Sequence, residues 1–191
     1  MPMLEAVMAE AGVTFADLDA LAVTVGPGTF TGLRVGLAAA RGLALARSLP
    51  LVGVTTLEAL AAPVRAEPDE RIAAAFDAKR GEIYFQAFDA NHEALTEPML
   101  VAVEDAADRL ADGNVMCVGT GAALLAEALA SKGVQARLSD APAQPDACSI
   151  ASIAAARIAA EGAAAFRTAP APLYLRAPDA KLPGGVDPFA A

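Results

Sequence analysis

The chain has 191 residues, 55% of them hydrophobic and 19% charged, which suffices for one large domain or two small lobes with cores of their own. A formal charge of -9 opposes direct nucleic-acid binding, which leans on clustered Lys and Arg. A single histidine, His92, excludes a two-histidine metal site, and the apolar runs are too short and too often broken by charge to span a membrane as a helix.

Residues 2–11 carry Met3, Leu4, Val7 and Met8 as a helical stripe that ends at Gly12. Residues 21–25 form a short apolar run with β-branched members, predicted as a buried strand. Gly26-Pro27-Gly28-Thr29-Phe30-Thr31-Gly32 is a loop, 33–48 a helix, and 51–54 a second buried strand after Pro50. Residues 20–54 are therefore predicted as strand, crossover helix and parallel strand. Thr55 or Thr56 caps a helix through about residue 64. The Pro-containing segment 63–69 is the expected lobe boundary. Beyond it, 71–77 and 82–88 look like a hairpin turning through 78–81. A strand at 99–103, a helix to about 110, a strand at 115–118 and a helix at 122–132 follow. After a linker at 141–146, an Ala-rich helix is predicted from about 149 to 161. The rest is rich in Pro and Ala apart from the island Pro172-Leu173-Tyr174-Leu175-Arg176.

The Gly-rich loop is the sharpest local feature. Strand, glycine loop and helix start aim backbone N–H groups and a positive helix dipole at one spot, a geometry that can hold phosphate. It matches neither the P-loop nor the full dinucleotide fingerprint, and its glycines have a plain alternative role in permitting a tight turn with Thr31 as N-cap. In the following helix, Gly32, Gly36, Ala39, Ala40 and Leu43 recur at three- and four-residue spacing, so another helix can approach closely. Arg34 and Arg41 lie seven apart, where they could meet carboxylates of a partner; the plain reading is a crossover helix on its own sheet with arginines in solvent. Asp77-Ala78-Lys79-Arg80 is a charged hairpin turn before it is a catalytic pair. Gly119-Thr120-Gly121 could cradle an anion, although a strand-to-helix turn needs glycine anyway. Cys117 fits a core position, and with only Cys148 beside it neither a disulfide framework nor a zinc site is indicated. The N-terminus lacks the basic and long apolar regions of a signal peptide, so a cytoplasmic location is expected.

Together these segments resemble the bacterial TsaB (YeaZ) family. The resemblance rests on residues 21–36, above all Gly26-Pro27-Gly28-Thr29-Phe30-Thr31-Gly32-Leu33-Arg34, continuing into Ala40-Arg41-Gly42-Leu43-Ala44. It is extended by Leu51-Val52-Gly53-Val54-Thr55-Thr56-Leu57, Asp77-Ala78-Lys79-Arg80-Gly81-Glu82-Ile83-Tyr84, Gly119-Thr120-Gly121 and the 172–176 island. It implies an α/β, two-lobed fold of the actin/hsp70/sugar-kinase type. The lobes would comprise residues 1–66 with 148–168, and 67–147, followed by a tail at 169–191. It further implies a non-catalytic pairing subunit that activates a TsaD-like catalytic partner. With a TsaE-like ATPase, that partner transfers threonylcarbamoyl to N6 of adenosine 37 in tRNAs reading ANN codons. ATP and metal would then sit on the catalytic partner, with no cofactor on this chain, and tRNA would be met only through the complex. The pairing surface, used with the partner or with a second copy, would comprise Met3, Leu4, Val7, Met8, Leu33, Arg34, Gly36, Leu37, Ala40, Arg41 and Leu43. Gly26, Gly28, Thr29, Thr31 and Gly32 would be a secondary anion or nucleotide contact. A nucleotide-dependent phosphotransferase, or a glycoprotease-like peptidase acting alone, is the competing reading. The chain also starts where family members are already into their first helix. The first lobe is therefore expected to lack its opening strands and to leave a sheet edge uncovered.

Overall fold

A computed structural model describes residues 2–176. Residues 177–191, most of the expected tail, lie outside the described residues. The described chain forms two sheets joined through one short helix.

The first sheet has two parallel strands, β1 (Leu21–Gly26) and β2 (Leu51–Thr55), with Leu21 opposite Leu51 and Thr24 opposite Val54. Parallel neighbours require a crossover, and α2 (Phe30–Arg47) supplies it. This helix begins earlier than predicted because Thr29, not Thr31, is its cap: the Thr29 hydroxyl accepts the Gly32 N–H at 3.3 Å. It ends at Ser48, which takes the left-handed conformation. Ahead of it, α1 (Pro2–Ala11) stops at Gly12, whose φ of 68° suits glycine. From the far end of the chain α6 (Ala147–Glu161) returns to the first sheet, capped by Asp146. Its Ala154, Ile150 and Ile153 close a small core over Val52 and Val54.

The second sheet has the order β5-β4-β3-β6-β7. The long hairpin of β3 (Glu70–Lys79) and β4 (Glu82–Phe88) is its centre, with Phe76 opposite Tyr84. Lys79 and Arg80 both have positive φ, and so does Gly81, so the turn is tight and left-handed. β5 (Met99–Ala102) and α4 (Val103–Asp108) follow, then β6 (Asn114–Val118) parallel to β3 and α5 (Ala122–Ser131). One strand was not foreseen: β7 (Ala136–Leu138), parallel to β6 at the edge. Three residues, two of them exposed, carry no periodicity. β7 exists because β6 offers a free edge and because Arg137 grips Glu70 of β3 with two nitrogens at 2.8–3.0 Å.

Alternation along β3 and β4 divides the side chains cleanly. Ala73, Ala75, Ile83, Phe85 and Ala87 face α4 and α5, meeting Leu110, Leu125 and Leu129. Ile72, Ala74 and Phe88 face the other way and meet α3 (Thr56–Ala61) through Leu57 and Leu60, both fully buried. Burying two leucines contributes roughly 1.5–3 kcal/mol each. The same α3 touches the first-lobe core through Ala59, so it is a buried wedge shared by both lobes. The expected boundary at residues 63–69 falls between α3 and β3. α3 is shorter than predicted because the capping box of Thr55 and Glu58 fixes its start while Pro63 lies just past its last turn.

Candidate functional site

The proposed pairing residues sit on α1 and α2, and the two helices treat them differently. None of the α1 residues is buried. Met3 is 79% exposed, Val7 57% and Leu4 41%, while Met8 is half-buried. Three large apolar side chains on one short helix with no cover of their own form a surface that water disfavours.

On α2, successive residues turn by about 100°. Leu33, Leu37, Ala40 and Ala44 therefore fall on one line, and that line faces β1: Leu33, Leu37 and Ala44 are buried and Ala40 partly so. Leu33 and Leu37, placed on the partner surface by the sequence reading, thus belong to the chain's own core. Gly32, Gly36, Ala39 and Leu43 lie along one flank of that line. A Cβ built on Gly36 meets nothing within 4 Å, so this flank is open. Arg34 and Arg41 lie on the opposite flank and are already engaged. Arg34 stacks on the Phe30 ring at 3.7 Å and donates from Nε to the Tyr174 hydroxyl at 3.0 Å; Arg41 donates to the Pro170 carbonyl at 2.5 Å. The arginines and the small-residue stripe therefore cannot serve one helix–helix seam.

The Gly-rich loop borders a cleft of about 180 Å³ between the lobes, with Pro27, Gly28, Thr29 and Gly32 on one side and Phe76, Gln144 and Pro145 on the other. The cleft continues to Asp77, Lys79, Tyr84 and Thr120. The Thr29 hydroxyl is occupied by capping, and Thr31 is exposed. The Gly26–Pro27 peptide is cis. Gly26 itself is required sterically: a Cβ there would lie 2.7 Å from the Leu173 carbonyl oxygen, at φ 117°.

The polar residues that could do chemistry are bound into the framework. Asp77 accepts both the Lys79 backbone N–H at 2.7 Å and its ammonium at 2.6 Å. The Lys79 side chain, followed by its backbone N–H, holds the Asp77 carboxyl below the usual range. Its own N–H donates to the Thr120 hydroxyl, 3.0 Å away. The Gly119-Thr120-Gly121 turn exists for close packing: Gly121 N–H donates to the Ala75 carbonyl at 2.9 Å, and a Cβ on Gly119 would overlap that same oxygen. Burial pushes the Cys117 thiol up to about 12, where no thiolate forms near neutrality. His92 places Nε2 3.0 Å from the Val64 carbonyl.

Several exposed residues were missed. Val35 (65%) and Leu45 (84%) point away from the sheet on α2, and Phe30 and Tyr174 pair at 5.3 Å between ring centroids. The helical period signalled the first two, since they fall opposite the Leu33–Leu37–Ala44 line. Nothing local could signal the pairing of Phe30 with Tyr174, which are far apart in the chain.

A family model described as "TsaD: tRNA N6-adenosine threonylcarbamoyltransferase" matches residues 1–183. The Escherichia coli (strain K12) "tRNA threonylcarbamoyladenosine biosynthesis protein TsaB" is 35% identical over 131 residues, covering 63% of this chain and 55% of that protein. The Haemophilus influenzae protein of the same name is 34% identical over 134 residues, covering 63% and 56%. The chain thus spans little more than half the length of these relatives. A "tRNA N6-adenosine threonylcarbamoyltransferase" of Erythrobacter litoralis is 54% identical, but over 57 residues only, 30% of this chain and 17% of that one. Among solved structures, "an uncharacterized protein with similarity to peptidase YEAZ" and "YeaZ", both from Pseudomonas aeruginosa, superimpose with TM-scores of 0.75 and 0.70 at 28% identity. The first covers 92% of this chain and 82% of its own. The two-lobed actin-like α/β architecture is thereby shared. By sequence over nearly its whole length, and by fold, the chain belongs to the TsaD family of tRNA N6-adenosine threonylcarbamoyltransferases, on its TsaB (YeaZ) branch.

Proposed function

We propose that this chain works in tRNA threonylcarbamoyladenosine formation as a non-catalytic pairing subunit. It docks on a TsaD-like protein and activates it, alongside a TsaE-like ATPase. The catalytic partner holds ATP and metal and moves threonylcarbamoyl from its adenylate to N6 of adenosine 37 in tRNAs reading ANN codons. In this reading tRNA is met only through the complex, as suits a chain of charge -9. The supporting observation is the uncovered apolar surface of α1 together with the open glycine flank of α2.

The flank supplies a clean test. Gly36 sits mid-helix with room for a side chain, so Gly36→Arg should leave the fold intact and, by helix propensity, add up to about 1 kcal/mol of stability. A new arginine would hold a partner helix off. Light scattering on a size-exclusion column should show a one-to-one complex between the parent chain and a TsaD-like protein, and its loss with the variant. An undiminished complex with Gly36→Arg would remove this flank from the interface; no complex with the parent chain would remove the function itself.

A further inference from the structure

We propose that residues 167–176 act as a strap that latches the two lobes together, running from β1 and β2 to the β3–β4 hairpin. The strap leaves the first lobe after a 3-10 turn at Ala163–Phe166 and crosses the face of β1 and β2. Along the way Arg167 donates to the Ser48 carbonyl at 3.4 Å, the Pro170 carbonyl accepts from Arg41, and Leu173 N–H donates to the Val25 carbonyl at 2.7 Å. Tyr174 then docks beside Phe30 and Arg34. Two residues later the strap changes lobes. Arg176 donates to the Ala78 carbonyl at 3.0 Å and pairs with Glu82 at 2.7 Å, on the hairpin that forms the other wall of the cleft.

The sheet is shaped for this passage. A Cβ on Gly53 would lie 2.8 Å from Pro170, and one on Gly26 would lie 2.7 Å from the Leu173 carbonyl. Gly26 is closed first by the strap itself, and Gly53 by Val25 and Pro170 together, so neighbouring strands both leave room for this segment.

Covalently, the described chain passes between the lobes in two places, through α3 with residues 62–69 and through residues 139–146. Lobes joined by few crossings rotate about them by default. The strap adds a third tie, and it ends on the hairpin rather than on α3, so it resists opening where the crossings do not. Its last link is a partly exposed ion pair and one carbonyl bond, weak enough to release.

The test measures the lobe separation directly and does not depend on any partner. Nitroxide labels at Ala46→Cys on α2 and Leu124→Cys on α5, both exposed, report one distance across the lobes in a Cys148→Ser background. Cys117 is buried and stays unlabelled. Pulsed dipolar spectroscopy should give one narrow distribution for the parent. Arg176→Ala and Glu82→Gln should each broaden it and shift it by several ångström, whereas Arg176→Lys should resemble the parent. Distributions for Arg176→Ala and Glu82→Gln that coincide with the parent's, in proteins with parental circular dichroism, overturn the latch. Should Arg176→Ala not fold, Glu82→Gln decides by the same criterion, since it changes one half-exposed hairpin residue to its amide.

Discussion

At the scale of single residues, Glu70 is the one charged residue that is buried among the described residues. It is 6% exposed at the start of β3, and one carboxylate serves two tasks: it accepts the Glu67 N–H at 2.9 Å and closes the fork of Arg137 from β7. The Glu67 N–H and the Arg137 guanidinium hold its carboxyl below the usual range, against the opposing effect of burial. A carboxyl depressed on folding stabilises the native state above its unfolded value, near 4.3, and that stabilisation is lost as pH falls through the folded value. Glu70→Gln should therefore unfold more easily at pH 7, by about 1.5–3 kcal/mol for charged hydrogen bonds lost. It should also show a shallower fall in stability between pH 5 and pH 3, read from urea midpoints. Equal midpoints at neutral pH would show that Arg137 is held by its β6 neighbours alone. The two cysteines give a second check at this scale. With Cys117 buried and its thiol at about 12, and Cys148 exposed on α6, a maleimide should add once to the native protein and twice in denaturant, by mass.

At the scale of elements, glycine acts where backbones must touch. Gly119 has φ 102° and faces the Ala75 carbonyl, with Leu60 of the lobe wedge close behind. Gly119→Ala would combine a disfavoured backbone conformation with a collision against a strand that cannot retreat. A loss of roughly 1–3 kcal/mol is expected from the backbone strain alone, measurable as a lower thermal midpoint. Gly36, by contrast, has ordinary helical φ and empty space around it, so the same substitution there should be tolerated. The capping boxes follow the same logic of local satisfaction. Thr55 and Glu58 close one around α3, and Glu58 also takes the Arg157 guanidinium from α6, so one helix start fastens two elements. Thr55→Ala should cost about 1 kcal/mol, and more if the Glu58 contact to Arg157 moves with it.

At the scale of the molecule, the two lobes share α3, and the surface left uncovered lies on α1, on one flank of α2 and on the outer side of α2. Among the described residues no helix is long and apolar enough to cross a membrane, so the exposed Met3, Val7, Val35 and Leu45 call for another explanation. A protein partner supplies one, because desolvating such residues drives association. If so, the affinity of the complex should depend only modestly on salt, since Arg34 and Arg41 of α2 are engaged within the chain. A steep decline in affinity between 50 and 300 mM salt (screening lengths of about 14 Å against about 6 Å) would instead assign the contact to charges such as Arg34.

What the sequence determined is what local chemistry enforces. Period-3.6 stripes, glycine stops and Pro50 before an apolar run defined α1, α2, β1 and β2, and the charged turn at 78–81 defined the hairpin. Each depends on neighbours within a few residues, where steric and capping effects act. The Gly-Pro-Gly-Thr-Phe-Thr-Gly-Leu-Arg block carried the family. The tertiary structure alone decided the rest. It turned Leu33 and Leu37 inward and divided Arg34 and Arg41 from the small-residue flank. It made β7 a strand, and it laid residues 167–176 across β1 and β2. These outcomes depend on contacts between segments far apart in the chain, whose formation is governed by which surfaces remain to be buried once the local elements exist. That remainder is a property of the assembled fold and has no local signature.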